Sequence, residues 1–228
     1  MADPVFLITG ASTGIGAATA RQASAEGYRV VLAARSEDKL TALAKELGGE
    51  DRALAHVCDV TRFEDQEALV KAALDAYGQV DIAFANAGFG AARGFLKGDP
   101  EQWREMVLTN VLGAAYTIRA TMPALKDAKG HLLITSSVAG RRALPGSLYS
   151  ATKHAATAMG EAVRQELNGT GVRVTVIEPG MVDTPFFDNP VSNALEADDI
   201  ARAVMYAVGQ PAHVDINEVL VRPTAQEG

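Results

Sequence analysis

The segment Val5-Phe6-Leu7-Ile8-Thr9-Gly10-Ala11-Ser12-Thr13-Gly14-Ile15-Gly16 decides how this chain folds. A short apolar run passes through three glycines into the alanine-rich stretch from Ala17 to Glu26, which gives strand, tight turn and helix in direct succession. Glycines in such a turn let backbone N–H groups come close to a pyrophosphate, and the dipole of the following helix favours negative charge there. The spacing is Gly-x-x-x-Gly-x-Gly, a departure from the commoner Gly-x-Gly-x-x-Gly fingerprint. Its place directly after the first strand is what argues for a dinucleotide site.

Outward from that turn, strands and helices alternate to the end of the chain. Arg29–Ala34 reads as the second strand. Residues 36–47 follow as a helix capped by Ser36 and stopped by Gly48 and Gly49. After a strand at 52–57, Thr61-x-x-Glu64 predicts a capping box on a helix that runs to Tyr77 and stops at Gly78. A strand at 80–85 precedes a long helix that opens on Asp99-Pro100 and continues to about Lys126. Strands at 130–135, 172–178 and 216–221 and helices at 148–167 and 198–208 complete the pattern, with 185–197 as an irregular substrate-side loop. Strict alternation predicts a parallel sheet with right-handed crossovers, in a single α/β domain over residues 1–228.

Composition narrows the function. With 28 acidic against 21 basic residues and a net charge of -7, and no basic run longer than Arg141-Arg142, general nucleic-acid binding is not expected. At 48% hydrophobic and 21% charged the chain is globular, without an apolar run of membrane-spanning length. Met1-Ala2-Asp3-Pro4 lacks a basic start, and the lone Cys58 reads as core filler, so a reducing, cytoplasmic location is expected. His56, His131, His154 and His213 have no partner spacing, and no metal is implied.

The chemistry concentrates in Ser136 to Lys153. Past the turn at Pro145 and Gly146, Tyr149-x-x-x-Lys153 puts an ammonium on the same helix face as a phenol. A free phenol titrates near 10, and a positive neighbour favours phenolate, so Tyr149 is predicted to exchange a proton with an alcohol near neutral pH. A surface pair is the alternative reading of those two residues alone. Elsewhere, Arg35 stands where a dinucleotide fold reads the adenosine ribose, and an arginine there suits a 2′-phosphate, whereas a solvated loop charge is the other possibility. Asp59 and Val60 end the third strand, beside the expected adenine, and Asn86-Ala87-Gly88 turns at the end of the fourth. Asn110 sits among apolar residues in mid-helix, which requires a buried polar network or a kink.

Taken together these motifs resemble the short-chain dehydrogenase/reductase family over nearly the whole chain. The resemblance rests on Thr9-Gly10-x-x-x-Gly14-Ile15-Gly16, Asp59-Val60, Asn86-Ala87-Gly88, Asn110, Ser137-x-x-Gly140, Tyr149-x-x-x-Lys153 and Pro179-Gly180-x-x-x-Thr184, all in order. It implies a Rossmann-like, doubly wound seven-stranded sheet, a nicotinamide cofactor and a catalytic tetrad of Asn110, Ser137, Tyr149 and Lys153. Cofactor contacts are implied for Gly10, Ser12, Thr13, Gly14, Ile15, Gly16, Arg35, Asp59, Val60, Asn86, Ala87, Gly88, Tyr149, Lys153, Pro179, Gly180, Val182 and Thr184. Thr13 and Arg35 would lie near a 2′-phosphate, so NADP(H) is expected over NAD(H).

In the family the serine precedes x-x-Gly and usually stands thirteen residues before the tyrosine. Here Ser137 keeps the first relation and Ser136 the second, and Ser137 is expected to be the active one because Gly140 fixes its place on the strand end. The C-terminal stretch looks like the NADP-dependent branch of 3-hydroxy acid, serine and clavulanate-type dehydrogenases, with Arg93, Arg141 and Arg142 as candidate carboxylate contacts. The expected reaction is hydride transfer between nicotinamide and a small carbonyl or secondary alcohol, possibly a 3-hydroxy acid, in a homodimer or homotetramer. The reading from another class is a non-catalytic NADP(H)-binding regulator, which has no need of all four polar residues.

Overall fold

The computed structural model describes residues 3–187 and 189–226. Met1, Ala2, Asp188, Glu227 and Gly228, and with them the expected start of the chain and one position of the 185–197 loop, lie outside the described residues.

Seven parallel strands form one sheet in the order β3-β2-β1-β4-β5-β6-β9: β1 is Val5–Thr9, β2 Arg29–Ala34, β3 Ala53–Val57, β4 Ile82–Ala85, β5 His131–Thr135, β6 Arg173–Pro179 and β9 Glu218–Val221. A wholly parallel sheet needs both faces covered, and the burial of β1, with all of Val5 to Thr9 inaccessible, follows from that. Alternate residues of β1 divide between the two cores. Val5 and Leu7 join Leu69, Val80 and Leu125 on one face, and Phe6 and Ile8 join Leu40, Phe84 and Ile200 on the other.

The first core packs under α3 (Phe63–Tyr77), α5 (Ala114–Ala128) and α6 (Leu148–Glu166), and the second under α1 (Gly14–Ala25), α2 (Glu37–Glu46) and α7 (Ala197–Val208). Strand order reverses between β1 and β4. In open α/β sheets that reversal leaves a crevice beyond the strands' carboxyl ends, which here opens between Gly10 after β1 and Asn86 after β4.

Three local expectations change. The box at Thr61 does not form: α3 begins at Phe63 with Arg62 as its cap, because the Thr61 hydroxyl and N–H both bond Asp59 Oδ1, at 2.8 and 3.0 Å. A reciprocal capping box occurs instead at α7, between Glu196 and Asp199. The long helix is broken into α4 (Pro100–Val107), a π-helical turn at Leu108–Gly113, and α5. Finally, the 185–197 loop is tied at its base, where β7 (Val182–Asp183) pairs in parallel with β8 (Leu195–Glu196). Ser36 caps α2 by position, but its hydroxyl accepts no bond there.

Candidate active site

The glycine turn is shaped by close approach. Gly10 and Gly14 adopt φ of +66° and +55°, a region unfavourable for any residue with a Cβ. A side chain at Gly16 would collide with the Gly10 carbonyl, so β1 and α1 pack backbone to backbone. The Thr9 hydroxyl donates to Phe84 O at 3.2 Å and accepts from Asn86 N at 3.1 Å, fixing β1 to the end of β4. The Asn86 side chain donates to Thr9 O at 3.1 Å and accepts from Thr135 Oγ1 at 3.0 Å, which leaves mainly the backbone of Asn86, Ala87 and Gly88 to face the crevice.

The first turn of α1 offers donors and no counter-charge. Its cap residue Thr13 makes no side-chain capping bond, and the turn holds no acidic residue. Free N–H groups, a positive helix end and a bare backbone cradle fit the phosphates of a dinucleotide. Thr184 arches over the same turn, since a Cβ on Gly14 would lie 3.4 Å from the Thr184 Cβ. Arg35 is exposed at the end of β2, Asp59 follows β3, and Val60 is buried against Gly113.

At the other end of the crevice the side chains are tightly held. Lys153 is 4% exposed, its Nζ donates to Thr135 O at 2.8 Å and lies 5.6 Å from the centroid of the Tyr149 ring. An ammonium has three donors, and two of these have no protein partner among the described residues. Burial pushes Lys153 down to about 8. Tyr149 behaves differently from the sequence expectation. Burial pushes its phenol up to about 12, and the opposing pull comes from the Ser137 hydroxyl. Lys153 by itself therefore does not bring the phenol toward neutrality in the protein alone.

The two serines point apart. Ser137 donates to Pro179 O at 3.3 Å and accepts from Ala139 N at 3.1 Å, as the cap of the short 3₁₀ turn Val138–Gly140, with its hydroxyl on the phenol's side. Ser136 is turned into the protein, bonding Lys153 O at 2.9 Å and Thr157 Oγ1 at 2.7 Å. Asn110 satisfies both readings of its position. It lies in the π turn, 2% exposed, with its amide donating to Phe89 O at 2.8 Å and Thr152 Oγ1 at 3.1 Å and its oxygen accepting from Phe89 N at 3.0 Å.

Several site residues carry no sequence signature. Thr135 holds Lys153 and Asn86, Thr152 holds Asn110, and Phe186 packs edge-on against Tyr149 at 5.6 Å and against Gly90. Phe187 meets Phe186 edge-on at 5.0 Å, giving the crevice an apolar lip. Arg141 is not free to hold a ligand carboxylate, because it is paired to Glu178 at 2.8 Å and to Glu218. Cys58 is buried and its thiol is pushed up to about 12, which makes it inert as a nucleophile.

A model of the family described as short chain dehydrogenase matches residues 4–194. The chain belongs to the short-chain dehydrogenase family. An uncharacterized oxidoreductase of Staphylococcus saprophyticus is 40% identical to it over 97% of both chains. An alcohol dehydrogenase from the archaeon Thermococcus sibiricus, solved with 5-hydroxy-NADP, superposes with a TM-score of 0.90 at 34% identity, covering 99% of this chain and 98% of that one. A closed serine dehydrogenase complexed with NADP+ gives a TM-score of 0.91 at 30% identity, covering 98% and 96%. Both structures share the seven-stranded fold of this short-chain dehydrogenase, which is an oxidoreductase fold of the same type.

Proposed function

We propose that this protein is an NADP(H)-dependent oxidoreductase that interconverts a small carbonyl compound and its secondary alcohol, with Asn110, Ser137, Tyr149 and Lys153 as its working residues. The observation that carries this reading is the convergence of the Ser137 hydroxyl, the Tyr149 phenol and the Lys153 Nζ, 5.6 Å from the centroid of that ring, at the strand-order reversal beside a glycine cradle. The α1 end and the turn from Gly10 to Gly16 would hold the cofactor phosphates, and Thr184 with Pro179, Gly180 and Val182 would flank its other end. When bound, the nicotinamide supplies or accepts hydride.

In the reductive direction the Ser137 and Tyr149 hydroxyls polarise the substrate oxygen, and Tyr149 gives its proton to the forming alkoxide. The free donors of Lys153 would hold hydroxyls of the cofactor ribose. With substrate and cofactor excluding water, the ammonium over the ring then favours the phenolate formed as the proton leaves. Both amide N–H donors of Asn110 are engaged and its oxygen accepts from Phe89 N, so its part is to hold the Phe89 loop. A water that resupplies the proton would bond a carbonyl freed by the π turn.

Arg35 supports NADP(H). It is an exposed cation without an ion-pair partner among the described residues, placed at the end of β2 with its charge felt by Asp59, where it can meet a 2′-phosphate. The apolar lip of Phe186 and Phe187, together with the engagement of Arg141, favours a substrate with an apolar group beside the carbonyl over a carboxylate such as a 3-hydroxy acid. A panel of ketones, keto acids and secondary alcohols, followed by the absorbance of reduced nicotinamide with each cofactor, tests both statements. No turnover with any member, alongside measurable NADPH binding, would instead support a cofactor-binding regulator.

A further inference from the structure

Behind the serine and tyrosine lies a buried carboxylate that the reaction does not use. Glu178 is fully inaccessible, at the end of β6 immediately before Pro179. Both of its oxygens lie 2.8 Å from Arg141 Nε, and Oε1 is 3.3 Å from the Thr157 hydroxyl. Thr157 in turn meets Ser136 at 2.7 Å, and both hydroxyls reach the Lys153 carbonyl, at 3.2 and 2.9 Å. Gly140 has no room for a side chain, since a Cβ would strike Ser136 Oγ and lie 2.8 Å from both Thr157 Oγ1 and Lys153 O. The chain of contacts therefore joins three elements: the end of β5 with its 3₁₀ turn, the first turns of α6, and the end of β6.

Each of those elements carries one part of the site. Ser137 follows Ser136 on the first, Tyr149 and Lys153 stand on the second, and the Pro179 carbonyl that faces the Ser137 hydroxyl at 3.3 Å follows Glu178 on the third. A buried carboxylate carries a large desolvation penalty, met here by an arginine whose side chain is 42% exposed. For pure stability an apolar pair would serve as well. What an ion pair and directional hydroxyls add is fixed geometry.

We infer that Arg141, Glu178 and Thr157 form a positioning brace that sets the Ser137 hydroxyl against the Tyr149 phenol. The inference rests on the proposed reaction, so its test needs one readout that does not. Glu178→Gln is expected to lower kcat about tenfold to a hundredfold, the scale of misplacement in a reacting array, with the NADPH dissociation constant unchanged. The double variant Arg141→Met with Glu178→Leu should regain the thermal midpoint lost in the single variant while kcat stays low. Thr157→Val, a milder cut in the same chain, should lower kcat less. Glu161→Gln, which breaks the exposed pair with Arg164 one turn further along α6, should change neither.

Amide hydrogen exchange at Ala139 and Gly140 in the protein alone, whose N–H groups bond Ser137, should quicken in Glu178→Gln and not in Glu161→Gln. A double variant with wild-type kcat, or a Glu178→Gln protein that loses only thermal stability, would overturn the brace. Unchanged exchange at Ala139 and Gly140 would overturn it even if the wild type turned over no substrate. Wild-type inactivity accompanied by quickened exchange would strike the proposed reaction and leave the brace standing.

Discussion

The Tyr149 end of the crevice and the Arg35 end are built on opposite principles. Around Tyr149 almost every polar side chain has a named partner: Ser137, Lys153, Asn110 and Thr135 are held by strand ends, a π turn and one another. Around Arg35 the hold is lighter: Arg35 itself is exposed, and among the described residues the half-buried Asp59 carboxylate bonds only Thr61, through its N–H and its hydroxyl. Proton transfer needs atoms placed to a fraction of an ångström, so that end is over-determined. Recognising a phosphate needs charge near the right place, and a mobile guanidinium can supply it.

The sharpest way to break that contrast is Tyr149→Phe. Loss of the proton donor is expected to cost about a hundredfold to ten-thousandfold in kcat, with NADPH binding retained in a fluorescence titration. Near-normal turnover would remove the Tyr149 end from the chemistry. Next in size, Ser137→Ala is expected to lose on the order of a hundredfold in kcat, and Ser136→Ala clearly less, because the Ser136 hydroxyl is turned inward onto Lys153 O and Thr157. The reverse ranking would reassign the two. At the other end, Arg35→Ala should weaken NADPH binding about tenfold and leave NADH binding unchanged. Equal losses for both cofactors would make Arg35 a general scaffold charge.

The smallest expected effect is on stability against pH. Burial lowers Lys153 from 10.5 to about 8, so between those values the unfolded chain binds more protons than the native one. Stability of the cofactor-free protein should therefore rise as pH increases from about 8 toward 10, measured as the thermal midpoint, and Lys153→Met should flatten that rise. Tyr149 opposes it above pH 10: raised to about 12, it retains a proton that the unfolded state releases. A midpoint that falls between 8 and 10 in the wild type would contradict the burial of Lys153.

The strand, turn and helix at Val5 to Gly16 were legible because local periodicity and glycine chemistry coincide there. So was the parallel sheet, since alternating elements leave few other arrangements. Asn110 announced a polar network or a kink by its apolar neighbours, and the π turn supplies both. Thr61 and Glu64 matched a capping pattern, yet Asp59, two residues earlier, takes the Thr61 hydroxyl. Pairings between distant segments leave no local trace. Arg141 and Glu178 are 37 residues apart, and neither position alone distinguishes a buried brace from a surface charge. The phenol's raised pKa was equally hidden, because spacing reports a neighbour's charge and not the desolvation around it.

The two-residue ladder of β7 and β8 carries a consequence for how such an enzyme changes over evolutionary time. By pinning Val182 to Leu195 and Asp183 to Glu196, it closes the stretch containing Phe186 and Phe187 into a loop outside the seven-stranded sheet. Insertions, deletions or wholesale exchange within that span alter the mouth of the crevice while β6 and α7 stay where they are. The segment is thus a replaceable cassette, and grafting another sequence between the same two anchor points should redirect substrate choice without refolding the remainder.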